Sequence, residues 1–115
     1  MVYPALVRGC RQNILVTVYS QNNGEDGEPI VLLSRKLKCN YQSVAQAKYD
    51  EEHNKIYINA KALMDGDSFP ELTEIVRGEV TISYQNGQKE TRQIYKGYKA
   101  RNPDGSVNYT CLELL

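Results

Sequence analysis

The chain has 115 residues and a mass of 13.1 kDa, which is the size of one domain, since two independent cores cut from it would each be too small to stand alone. Its 14 basic and 14 acidic residues cancel, and that removes the long-range positive field of a protein whose main task is gripping phosphates. Cys10, Cys39 and Cys111 are odd in number and lack the paired spacing of a zinc or redox motif, so they read as reduced thiols in a fold that needs neither disulfide nor metal.

In chain order, Met1 to Arg11 is interrupted by Pro4 and Arg8 and is too short an apolar stretch for a signal-peptide core or a membrane span. A cytoplasmic protein is expected, in which the Asn108-Tyr109-Thr110 sequon carries no sugar. Gln12 to Ser20 alternates Ile14, Val16 and Val18 with Leu15, Thr17 and Tyr19, the pattern of a strand. Gln21 to Pro29 gathers Asn22, Asn23, Gly24, Asp26 and Gly27 and predicts a mobile loop. A second strand begins at Ile30, with Leu37, Cys39 and Tyr41 then alternating with Lys36, Lys38, Asn40 and Gln42. Ser43 to Asn54 suits an extended arm ending in the polar turn Asp50-Glu51-Glu52-His53-Asn54. Lys55 to Ala60 resumes alternation as a third strand.

Ser68-x-x-Glu71 matches a capping box, with Leu72, Ile75 and Val76 at helical spacing and Gly78 placed to end the turn, so a short helix is expected there. Glu79 to Tyr84 and Glu90 to Tyr98 flank Asn86-Gly87, which predicts a hairpin with a type I′ turn and positive φ at both central residues. Asn102-Pro103-Asp104-Gly105 is a second turn leading into a last strand, Val107 to Leu115. These elements predict a mainly β domain spanning residues 1–115: a small antiparallel β-barrel or sandwich of about six strands with one short helical turn. A chain of this mass folds to a surface of roughly 6,400 Å².

Sites for chemistry are sparse. His53, the only histidine, has no nucleophile elbow or orienting partner nearby in sequence and reads as a solvated turn residue. Asp65-Gly66-Asp67 begins like a calcium loop, but Phe69 and Pro70 break the liganding pattern. The glycines fit neither a phosphate loop nor a dinucleotide fingerprint. No catalytic or metal residue, cofactor or small-molecule substrate is therefore expected, and the chain reads as an adaptor, not an enzyme. Charge is unevenly spread: acidic residues cluster at Glu25, Asp26 and Glu28, at Asp50, Glu51 and Glu52, and from Asp65 to Glu74. Lys89, Arg92, Lys96, Lys99 and Arg101 are opposed locally only by Glu90. Tyr95 and Tyr98 stand among these bases, so a β-barrel that stacks single-stranded nucleic acid is the alternative reading.

The ordered set Gly78 to Ile82, Arg92-Gln93-Ile94-Tyr95-Lys96-Gly97-Tyr98 and Arg101 to Leu114, with Lys38-Cys39-Asn40-Tyr41-Gln42 and Lys55-Ile56-Tyr57-Ile58 upstream, resembles small minor capsid and head-tail joining (head-closure) proteins of tailed bacteriophages and prophages. The resemblance covers residues 35 to 115. It implies a β-barrel subunit of a ring between portal and tail, made in the host cytoplasm and carried in the virion. Its partners would be the portal or adaptor ring, tail proteins and neighbouring copies of itself, with DNA met only as it passes through the channel and no membrane contact. On this reading Asp50, Glu51, Glu52, Lys89, Arg92, Lys96, Lys99 and Arg101 are the candidate partner-binding residues. The acidic loop of one subunit would meet the basic strand of the next, head to tail, and the arm from Ser43 to Asn54 would project into the channel.

Overall fold

A computed structural model describes residues 3–115. The alternating segments form six strands: β1 (Gln12–Tyr19), β2 (Val31–Tyr49), β3 (Lys55–Asp65), β4 (Gly78–Ser83), β5 (Lys89–Arg101) and β6 (Val107–Leu114). All neighbours are antiparallel, and the order β1-β2-β3-β6-β5-β4 closes when β4 pairs with β1, Val16 opposite Val80. Closure gives every strand a partner on both sides over part of its length, which blunts the sheet edges. Because side chains alternate across a strand, one face of every strand fills the interior. Val16, Val18, Ala60, Ala62, Met64, Val80, Ile82, Leu112 and Leu114 are all buried there.

The stretch expected to be an arm is strand. β2 continues without a break to Tyr49, and β3 extends past the expected Ala60 to Asp65. β1 accompanies β2 only as far as the pair Gln12↔Cys39, and β6 accompanies β3 only from Ala60↔Leu114 onward. The outer part of the β2–β3 hairpin therefore pairs only with itself. A bulge sits at its base, where three steps on β2 (Ser43 to Gln46) face two on β3 (Ala60 to Ile58); bulges of this kind bend and twist a ribbon. The projection shows in the dimensions. The surface is 7585 Å² against the roughly 6,400 Å² of a compact chain of this mass, and the radius of gyration is 14.8 Å where about 13 Å is usual for this length.

The expected helix after Ser68 does not form. Its segment holds a single turn hydrogen bond, Leu72 N to Phe69 O at 3.0 Å. The carbonyls a helix would use internally go to side chains of the barrel wall. Arg35 Nη1 donates to Ser68 O at 2.6 Å, and Lys99 Nζ donates to Phe69 O at 2.9 Å and to Leu72 O at 2.6 Å. Ile75 then bridges to Gly97, whose N–H donates to Ile75 O at 2.8 Å. Gly97 has no room for a side chain: a Cβ there would lie 2.8 Å from Ile75 Cβ and 2.9 Å from Leu112 Cδ2. The segment is thus a plug, and Phe69, fully buried, is its stopper.

Four hairpin tips share one turn geometry. In each, the first residue's N–H donates to the fifth residue's carbonyl and the fourth residue's N–H donates back to the first residue's carbonyl: Gly24/Glu28, Asp50/Asn54, Tyr84/Gln88 and Asn102/Ser106. This is a three-residue loop with a left-handed fourth position, filled by Gly27 (φ 77°), His53 (φ 65°), Gly87 (φ 85°) and Gly105 (φ 91°). The two-residue type I′ turn expected at Asn86-Gly87 is thereby corrected, since Asn86 is not in the left-handed region. Its side chain accepts from Gln88 N instead, at 3.0 Å, and that leaves the loop one residue longer.

Two stability outcomes follow from these positions. Gly87→Val is expected to cost about 1–2 kcal/mol, all of it conformational, because a Cβ there meets nothing within 4 Å. His53→Gly, which relieves a left-handed non-glycine residue, is expected to stabilise by about 0.5 kcal/mol after the added unfolded-state entropy is subtracted. Thermal melts of the two variants should shift in opposite directions, and shifts of the same sign would refute the shared turn. Gly97→Ala is expected to cost about 1–3 kcal/mol by overpacking, read as a lower denaturation midpoint; a neutral result would mean that Ile75 does not seat against β5.

Candidate functional site

The feature that leaves the barrel is the β2–β3 hairpin, so the candidate residues are best placed relative to it. Its tip is held by Asp50, whose Oδ1 accepts from Glu52 N at 2.9 Å and Asn54 N at 2.8 Å. Glu51 and Glu52 are exposed beside it. The hairpin does not stand clear of the barrel. Lys48 Nζ lies 2.5 Å from Glu113 Oε2, in a geometry that gives an ion contact without a hydrogen bond. Glu113 is only 1% exposed, so this lysine is what offsets a buried carboxylate. Farther out, Tyr49, Asp50, Glu51 and Glu52 share a cleft of about 530 Å³ with Tyr95 and Lys96. The side chain of Tyr95 stands at a bulge in β5, between the pairs Ile94↔Leu114 and Lys96↔Glu113.

The basic candidates separate into two groups. Lys99 is a pin of the plug: its ammonium lies 3.0 Å from Asp67 Oδ1, carries the two carbonyl bonds described above, and is 9% exposed. Arg92 pairs with Glu90 at 2.8 Å and donates to Leu115 O at 3.1 Å. Arg101 donates to Gly105 O at 2.8 Å and braces the β5–β6 turn. Lys89 and Lys96 are exposed. The structure thus brings Lys96 next to the acidic tip of its own hairpin and leaves Lys89 at the far end of β5, paired with Ser83.

Two surface features were not singled out from sequence. One is apolar: Ile30, just before β2, and Val31 and Leu32 at its start are exposed, with Leu32 near Val76, although their composition reads as buried strand. Tyr49 (66% exposed) and Tyr57 (59%) stand out on the hairpin. The other is basic. On the outer wall the pairs Asn13↔Lys38 and Ser83↔Lys89 form one row, and Leu15↔Lys36, Leu15↔Thr81 and Thr81↔Thr91 form the next. These rows hold Lys36, Lys38 and Lys89 and no carboxylate. The alternation Lys36-Leu37-Lys38 already put both lysines on one face; what sequence could not supply was the neighbouring strands.

The thiols are accounted for by burial. Cys39 is fully buried and its thiol is pushed up to about 12, by burial first and then by neighbouring Cys10. Burial also raises Cys111, and the proximity of that thiol across the ladder, followed by burial, raises the Tyr98 phenol. Cys10 is only partly buried, and its Sγ donates to Leu63 O at 3.7 Å. Alkylation of the folded chain at neutral pH should therefore label Cys10 well before Cys39 or Cys111, because thiolate and access are both required. Mass spectrometry of a time course reads the order, and early labelling of Cys39 would contradict it.

The Lys48–Glu113 contact has an asymmetric expectation. Lys48→Ala leaves a buried carboxylate without its ion-pair partner, with only the cross-strand Lys61 and Lys96 beside it, and should cost about 2 kcal/mol, whereas Glu113→Gln leaves a lysine that is 35% exposed and can turn to water. The second variant should therefore melt closer to wild type than the first, and the reverse order would show that Lys48 does not hold the hairpin.

Among the described residues no helix is long and apolar enough to cross a membrane, and no group of three or more His, Cys, Asp or Glu side chains is placed to hold a metal ion. No protein-family model, curated protein or solved structure matches the chain, so a functional reading rests on its own residues.

Proposed function

We propose that the chain is a structural connector subunit of a tailed bacteriophage or prophage, assembling in a ring between portal and tail and working by protein–protein contact. The observation that carries this reading is the β2–β3 hairpin, a self-paired ribbon extending from a barrel whose interior is filled with side chains. Such a barrel offers no internal ligand cavity, so its means of acting lie on the outside. Exposed Tyr49 and Tyr57 on the ribbon, and Ile30 to Leu32 at the opposite end of β2, are the kind of residues that subunit interfaces bury.

The alternative, a module that stacks single-stranded nucleic acid on Tyr95 and Tyr98, is less well supported. Lys99 and Arg92 of the basic segment already hold Asp67 and Glu90, which leaves fewer cations for phosphates. The two readings part in one experiment. The purified chain is mixed with the portal protein of the genome that encodes it and viewed by electron microscopy, while binding to a single-stranded oligonucleotide is titrated at two salt concentrations. Rings seated on the portal are expected, with no salt-dependent oligonucleotide affinity. A genome without a portal gene, or tight oligonucleotide binding that weakens with salt, would overturn the proposal.

A further inference from the structure

Lys36, Lys38 and Lys89 raise a separate question. Among the described residues none of the three has a carboxylate within ion-pair distance, and the two rows that carry them contain only Asn, Ser, Thr and the 37%-exposed Leu15 besides. A groove of about 460 Å³ runs along this wall, lined by Leu15, Lys36, Lys38 and Ser83 among others. Like charges on one wall without counter-ions repel and disfavour the isolated fold slightly, and an acidic partner would reverse that cost.

The chain carries a group of complementary charge. Asp50, Glu51 and Glu52 sit at the hairpin tip, with Tyr49 projecting beside them. The tip cannot reach its own lysine wall. In the closed order β1-β2-β3-β6-β5-β4, β1 lies across from β6 and β2 from β5. The hairpin is fastened to β6 through Glu113, and its tip lies over Tyr95 and Lys96 of β5. Acidic tip and lysine wall therefore lie on opposite sides of the barrel.

We propose that the lysine wall of β1 and β2, with Lys89 at its edge, is the docking surface for the hairpin tip of a second copy of this chain. Glu51 and Glu52 meet Lys36 and Lys38, and Tyr49 lies on Leu15 and the apolar stems of the lysines. Complementary patches on opposite sides make a heterologous contact, which repeats from copy to copy and closes into a ring when the rotation permits. The inference rests on the ring reading and names the contact within it. It also moves the expected basic partner from the Lys89-to-Arg101 segment, whose Arg92 and Lys99 are engaged internally, to β1 and β2.

The test uses the intact chain. Sedimentation equilibrium at millimolar concentration and low salt should show self-association of the wild type. Lys36→Glu with Lys38→Glu, and separately Glu51→Lys with Glu52→Lys, should each weaken it by about tenfold or more. An equimolar mixture of the two variants should restore it, because every tip then meets a wall of opposite charge. All four positions are at the surface, and circular-dichroism melts matching wild type confirm folding. No self-association of the wild type, no effect of reversal, or no rescue in the mixture each overturns the proposal, as does duplex DNA bound through Lys36 and Lys38 and released by salt. The ring reading is scored apart. Normal rings of a charge-reversed variant on the portal would leave that reading standing while this contact falls, and absent rings with intact, charge-dependent self-association would do the opposite.

Discussion

The barrel depends on how its open corner is filled. β4 pairs with β5 only from Glu79↔Gln93 to Ser83↔Lys89, so the β5 backbone from Tyr95 onward has no strand on that side. The segment between β3 and β4 takes that place. It is held from three strands at once: Arg35 of β2 grips Ser68 O and Glu71, Lys99 of β5 grips Asp67 and two carbonyls, and Thr110 of β6 donates to Gly66 O and accepts from Ser68 N. These bonds position Phe69, the chain's only phenylalanine, whose burial contributes about 2–3 kcal/mol and over whose ring Arg35 sits at 5.8 Å. Gly97 permits the approach on which the rest relies, because any side chain there would collide with Ile75 and Leu112.

The plug also explains why the charge map of the sequence is a poor guide to the surface. A base with acids far away in sequence reads as available, yet Lys99 has Asp67 brought to it across the barrel, and Arg35 has Glu71. Lys36 and Lys38 have no acid between Glu28 and Asp50 in sequence, and the strands that flank them supply none either. Whether a charge is available is a property of the register, and register is set by long-range pairing.

How much was legible divides along the same line. The first four strands could be read from period-two alternation, and the last two, with Gly87 and Gly105, from the turn chemistry that precedes them, because both signals are local. The long hairpin was half legible: the apolar residues of Ser43 to Tyr49 are mostly small and do not alternate as in a half-buried strand, since the segment is paired on one side only and buries little. The expected helix failed because Ser68 and Glu71 satisfied a local rule while their carbonyl and carboxylate were taken by Arg35. His53 shows the same limit from the other side. Nothing in Asp50-Glu51-Glu52-His53-Asn54 announces a left-handed residue, but the Asp50 carboxylate stapling Glu52 N and Asn54 N fixes the loop in which position 53 must take one.

That stapled tip connects the fold to the proposed role. A two-stranded ribbon is marginal in water on its own, and here its outer pairing is supported by the buried Lys48–Glu113 contact at its side and by the Asp50 hydrogen bonds at its end. The bulge between Ser43 and Gln46 bends the ribbon where it leaves β1 and β6. An element held at the tip and fastened at the flank presents Tyr49, Glu51 and Glu52 in a fixed arrangement, and a preordered surface loses less entropy when it docks. Glu113 is central to that order. Because it is buried against β3 and β5, Lys61 and Lys96 opposite it in the ladder, the ribbon's position is registered to the barrel wall, and with it the direction in which the acidic tip faces a neighbour.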